Sequence, residues 1–305
     1  MKNKKIEGNL AVFTAKTFSG LNMNALKFLL PVWMAPFSGT MFRLVFGALI
    51  FWIIGLFVKK EAPTTYRQKF HMFLLGAFGL YGYMGFYLWG LSHTTPVSSS
   101  IIMVMIPIWV FIILLIKGRE KFDIIKGLGM LLGLCGAAIS IFTKKPPEYA
   151  DNPILGNLLT ICSTIIYSVY LIYSHTLLKD IGILTLTKWT FLGGAFASVI
   201  GVFAIGYDAR VFEMPLHWLP ICILLFVLIF PTVLSYLLVS YGLKYLKTTL
   251  IAMYGYWIIV VATVVAVITG QDQFSWTIVI SILMLCIGIY LVEVRESKEN
   301  VPLKK

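Results

Sequence analysis

The sequence predicts an all-α polytopic membrane protein, with ten transmembrane helices arranged as two inverted five-helix repeats. Three observations lead there: the scarcity of charge, a series of apolar runs of spanning length, and an echo between the two halves. Of the 305 residues, 59% are hydrophobic and only 12% charged, with a mean hydropathy of +0.89. A globular protein carries about 25% charged residues to clothe its surface. With half of that, most of this surface faces something other than water. A soluble enzyme, a disordered chain and a secreted disulfide scaffold are thereby excluded. One crossing takes about 20 apolar residues, or roughly 30 with its loop, so the length holds about ten.

The runs fall at Leu10–Leu30, Pro36–Val58, Phe70–Trp89, Val97–Ile116 and Ile124–Phe142, then at Ile154–Leu177, Ile183–Ile205, Leu219–Tyr241, Leu250–Ile268 and Trp276–Val294. Pro, Gly or charge punctuates the short loops between them, which leaves no room for a soluble domain. The stretch Pro146-Pro147-Glu148-Tyr149-Ala150-Asp151-Asn152-Pro153 is the natural boundary, giving repeats over 1–147 and 148–305. The start, Met1-Lys2-Asn3-Lys4-Lys5, has the basic flank of a signal peptide. However, Lys16 interrupts the next run and no small-residue cleavage site precedes the full span, so a retained first helix is expected.

Orientation follows from the cations. With the N-terminus inside, most of the 25 Lys and Arg residues fall on inner segments, and only Lys27, Lys144, Lys145 and Arg210 on outer ones. This asymmetry places both termini in the cytoplasm. It also accounts for the net charge of +12 without nucleic acid, so the expected surroundings are a lipid bilayer, in the cytoplasmic (inner) membrane. The four cysteines lie in apolar runs without a C-x-x-C pair, and read as small buried hydrophobes.

The halves echo each other. Gly90-Leu91 corresponds to Gly242-Leu243, Gly118 to Gly270, Phe122 to Phe274 and Gly136 to Gly288, all at one offset. Lys117-Gly118-Arg119-Glu120-Lys121-Phe122 corresponds to Thr269-Gly270-Gln271-Asp272-Gln273-Phe274, its cations removed, as a loop moved to the other side of the membrane would be. An odd number of helices per half inverts the second. Inverted repeats of this kind characterise secondary transporters, with the site between the halves.

Ser19-Gly20-Leu21-Asn22-Met23-Asn24-Ala25-Leu26-Lys27 resembles the first-helix W-G-x-N-x-x-x-x-K pattern of the drug/metabolite transporter superfamily, EamA-type branch. Pro36 through Arg43 with Gly47-Ala48, then Pro107, and the Gly118-Arg119-Glu120 turn followed by Gly129, Gly133 and Gly136, are similar to the rest of that repeat. Ser19 departs from it by replacing the usual tryptophan, and Ile259 stands where a proline would answer Pro107. The resemblance implies a helical basket around a central cavity that opens alternately to each side. It also implies outward movement of small polar metabolites without naming one; the missing intramembrane acids and the Lys/Arg face favour amino acids or related compounds with an anionic group. Exchange of phosphorylated metabolites or nucleotide sugars, and flipping of a lipid-linked sugar, are the alternatives it leaves. No enzyme, metal or cofactor is expected, since no H-E-x-x-H and no buried acid or Ser/His pair occurs. A homodimer stays open.

Charge in the hydrocarbon costs at least ~2.5–3.5 kcal/mol at a helix centre, so each such residue needs a reason. Arg43 lies two turns past Pro36, roughly 10 Å below the outer face, and Lys27 sits near that level. Lys16 shares a helix face with Gly20, Met23 and Lys27. These cations either line a path for an anionic group or snorkel and bond helix carbonyls. Asn22 needs a partner and is expected in the cavity because the family motif places it there. Tyr83 and Tyr87, Tyr167 and Tyr170, and Tyr254 with Trp257 look inward, toward substrate or toward helix packing. Pro107 and Pro231 are candidate hinges. All 13 acidic residues map to loops, ends or tails. This argues against a cation antiporter that exchanges protons on an intramembrane carboxylate.

Overall fold

The structure is a computed structural model. It describes residues 2–30, 32–58, 64–93, 99, 102–103, 105–120, 123–142, 152–214, 216–268 and 276–299. These form helices α1 (Lys2–Leu29), α2 (Pro36–Phe57), α3 (Tyr66–His93), α4 (Ile106–Ile116), α5 (Ile124–Phe142), α6 (Pro153–Leu177), α7 (Ile183–Ile205), α8 (Trp218–Tyr245), α9 (Thr248–Met253), α10 (Gly255–Ile268) and α11 (Trp276–Glu299). Five of them are by length and apolarity alone able to cross a membrane: α2, α3, Ile154–Leu177 within α6, α7 and α8.

Local chemistry sets the ends. Pro36 opens α2 and Pro107 lies in the first turn of α4, where a missing N–H costs nothing. Asn152 caps α6 by accepting from the Leu155 N–H. Thr65 and Gln68 form a reciprocal capping box at the start of α3. The span expected at Leu250–Ile268 is broken at Tyr254 into α9 and α10. Pro107, offered as a mid-span hinge, instead follows a turn at Met105 and starts a helix.

The packing is two-fold. α2 lies against α7 and α5 against α11, each helix meeting its own counterpart. α1 meets α8 while α6 meets α3, and α1 meets α10 while α6 meets α4. The polarity is visible at one end of the bundle, where Tyr241 donates to Glu7 near the start of α1. Leu243, half a turn on, presents its carbonyl to His175 Nδ1 at the finish of α6. One repeat therefore begins where the other's first helix ends, and the two run in opposite senses.

Glycines make the closest contacts. A Cβ on Gly76 would strike the Thr190 backbone, and one on Gly193 the Phe73 carbonyl, so α3 and α7 touch backbone to backbone. Gly129 and Gly288 do the same for α5 and α11. Outward faces carry large apolar side chains such as Phe203, Leu56 and Trp218, as lipid contact requires. The four cysteines lie on that exposed outer surface too. Their apolar runs marked contact with lipid, not burial in the protein, because hydropathy does not separate the two.

Candidate functional site

Each third helix carries a π segment, Leu75–Leu80 in α3 and Leu228–Leu234 in α8, at matching places in the two repeats. In α8 the cause is legible: Pro231 has no N–H to give and its ring pushes the preceding turn apart. Thr232 then turns its hydroxyl to the Val227 carbonyl five residues back, at 2.8 Å. The same oxygen accepts from Arg43 Nε at 2.9 Å. A widened turn thus fixes the guanidinium of α2 in the middle of the bundle, where Arg43 is 7% exposed.

Arg43 forms part of the wall of a narrow cavity of about 90 Å³. Lys16, Ser19, Asn22 and Met23 line it from α1, and Pro231, Ser235, Tyr236 and Val239 from α8. Tyr83, Met84 and Tyr87 come from α3, Tyr167 from α6, and Ala252, Gly255, Ile258 and Ile259 from the broken α9–α10 span. Discontinuous helices at the midplane are where transporter sites form, because the break frees backbone groups.

The polar groups are unevenly satisfied. Ser19 and Ser235 both donate to the Ala15 carbonyl, at 3.0 and 3.2 Å, tying α8 to α1. The Lys16 ammonium lies 5.6 Å from the Tyr167 ring centroid, a cation–π contact. Tyr167 in turn leans on Tyr83 at 4.3 Å between centroids. Arg43 shares this wall with Tyr83, Tyr87 and Tyr236. Asn22 is 9% exposed and its side-chain oxygen has no hydrogen-bond partner. No Asp or Glu is among the described lining residues. The wall thus combines two cations, an unanswered acceptor and a set of phenol rings.

Of the residues singled out from sequence, Lys16, Asn22, Arg43, Tyr83, Tyr87, Tyr167 and Pro231 meet at this cavity. Tyr170 and Tyr254 are buried in the core without lining it, Tyr170 being stacked behind Tyr167. Trp257 points elsewhere: its indole donates to Thr17 at 3.0 Å and packs on Phe13. Gly20 packs closely on α10. The Lys27 side chain lies outside the described residues. The reading missed Tyr236, Ser235 and Val239. The repeat offset itself could have found them, since Tyr83, Met84 and Tyr87 correspond to Ser235, Tyr236 and Val239 at the spacing relating Gly90 to Gly242. Met103 and Ile106 correspond likewise to Gly255 and Ile258. The cavity is two-fold in shape, but both cations come from the first repeat.

A two-repeat bundle of membrane-spanning helices enclosing a central cavity is an architecture that fits a transporter. Residues 6–142 and 154–294 each match the EamA-like transporter family, and the chain belongs to that family. Among curated proteins it is similar to the uncharacterized transporter YoaV of Bacillus subtilis (strain 168), 23% identical over 257 residues, covering 84% of this chain and 85% of that one. The uncharacterized transporter YyaM of the same organism is 21% identical over 275 residues, 88% of each chain. A protein crystal structure superposes with a TM-score of 0.78 at 18% identity, covering 96% of this chain and 98% of that one, a likeness of fold.

Proposed function

We propose that the chain exports small zwitterionic metabolites, amino acids first among them, by exposing this cavity alternately to the two sides of the cytoplasmic membrane. The observation that carries the reading is the wall's complementarity to such a molecule. Arg43 and Lys16 answer a carboxylate, while the unpartnered Asn22 oxygen and the tyrosine faces answer an ammonium group. Two cations and no acid among the described lining residues support a substrate with an anionic end over a lipophilic cation. A phosphorylated-metabolite or nucleotide-sugar exchanger, or a lipid-linked sugar flippase, would share the cations, and its hydroxyls would answer the Asn22 oxygen as well. The narrow cavity favours the smaller substrate. The concentration of cations at the end of the bundle holding both termini supports cytoplasmic termini, by the positive-inside rule.

The test is mass spectrometry of the medium from cells expressing wild-type, Arg43→Gln or Asn22→Leu protein at matched membrane levels. An amino acid enriched by the wild type alone is the expected result. Media that all match the empty vector, with phosphate-ester counterflow in vesicles, would instead establish the exchanger.

A further inference from the structure

A second cavity lies at the end of the bundle that carries the chain's cations. Three separate segments bring positive charge into it: Arg119 after α4, Lys179 after α6, and Lys247 between α8 and α9. His175 and the hydroxyl-bearing Thr176 and Thr248 complete its polar wall. Arg119 is held in place by donating to Thr176 Oγ1 at 2.9 Å. The carboxylate in this wall, Glu120, is already engaged, taking Lys126 Nζ at 2.6 Å on one oxygen and the Thr249 hydroxyl at 2.7 Å on the other. Lys126 is fully buried and Glu120 almost so, and their opposite charges offset each other. Among the described residues of the wall, Arg119, Lys179 and Lys247 outnumber Glu120.

This cleft is distinct from the central cavity, yet stands in line with it. The same elements line both, Ile106 and Leu114 on α4, Tyr167 and His175 on α6, Ala252 and Thr248 on α9. The paired residues are one to two helical turns apart, roughly 6–12 Å along the axis. Val110, Leu171 and Ile251, all fully buried, fill the interval as an apolar layer. A concave site with one sign of charge and low-dielectric walls concentrates counter-ions. We infer that this cleft is a second, anion-binding site that holds a phosphate or carboxylate group beside the apolar layer. It would serve as the loading station for the central cavity. That role rests on the transport reading above, but the binding does not.

The experiment uses the full-length protein in phosphatidylcholine nanodiscs, with inorganic phosphate as the probe and ³¹P line broadening as the readout. Wild type is expected to bind. The combined Arg119→Gln, Lys179→Gln, Lys247→Gln variant is expected to bind at least about tenfold more weakly. The charge-preserving set Arg119→Lys, Lys179→Arg, Lys247→Arg should bind as wild type, which separates lost charge from lost fold. Binding that survives the triple glutamine variant overturns the second site and leaves the central one intact. No broadening with wild type overturns it as well. Adding phosphatidylglycerol distinguishes the sources: displacement of phosphate identifies a lipid headgroup as the occupant in the membrane, and undiminished binding identifies a soluble anion.

Discussion

Arg43 shows how a costly residue is retained. Its Nε is bonded to Thr232, which is itself held by a π turn, so the guanidinium stays in the cavity instead of snorkelling to the interface. A hydrogen bond to a charged group contributes about 1.5–3 kcal/mol. Arg43→Gln should therefore lower transport by roughly ten- to a hundredfold if substrate completes the site. Thr232→Val, which keeps the cation but frees its position, should cost less than Arg43→Gln in the same efflux assay. The residue-level reading found Arg43 by its cost in hydrocarbon, a signal that composition carries. For Tyr254 and Trp257, expected to look inward toward substrate or toward helix packing, the structure shows packing, because an inward-looking side chain does not announce which neighbour it meets. Trp257 shares the depth of the cavity, but its indole is turned onto Thr17.

At the scale of elements, the apolar runs located the helices because hydrocarbon thickness fixes their length. Two features escaped. The α3 and α8 π segments are invisible to hydropathy, since an i→i+5 turn uses the same apolar residues as an i→i+4 turn; only Pro231 hinted at one. The break at Tyr254 lies inside an unbroken apolar run, so nothing in the pattern separates α9 from α10. Both features bear on function, because they aim Thr232 and open the wall at Gly255. Pro231→Ala restores a backbone donor and favours a regular α turn, which would rotate Thr232 away from Arg43. Transport should fall with it while membrane levels hold. The backbone contact of α3 with α7 makes a different prediction. Gly193→Ala drives a methyl into the Phe73 carbonyl and should destabilise by on the order of 1–3 kcal/mol. A lowered melting temperature of the purified protein in detergent would report it, and an unchanged one would mean the helices separate without cost.

Across the whole molecule, the two repeats are joined at the cation-rich end by groups that each reach from one half to the other. Glu120 of the first repeat accepts from Thr249 of the second at 2.7 Å, and Arg295 of the second donates to Asp123 of the first at 2.6 Å. Burial pushes the Asp123 carboxyl up, but the Arg295 hydrogen bond and the N–H groups of Lys126 and Ile125 outweigh it and hold it below its ordinary value. A depressed carboxyl contributes stability above its unfolded pKa, about 3.9, and loses it as pH falls through the folded value. The difference in melting temperature between wild type and Asp123→Asn should accordingly shrink as the medium is acidified toward that range. The apolar layer of Val110, Leu171 and Ile251 lies beneath these contacts, so the proposed alternation must break them to admit anything from that end. Weakening them should therefore favour the state open there. Thr249→Val removes one hydrogen bond to a charged group, about 1.5–3 kcal/mol, enough for roughly a tenfold shift between two states. With the four native cysteines replaced, Ser235→Cys in the cavity should react faster with a membrane-impermeant thiol reagent applied from the cation-rich side when Thr249→Val is also present. An unchanged or slower rate would mean that the end is closed by packing alone, and that the polar contacts between the repeats fasten the fold without governing its opening.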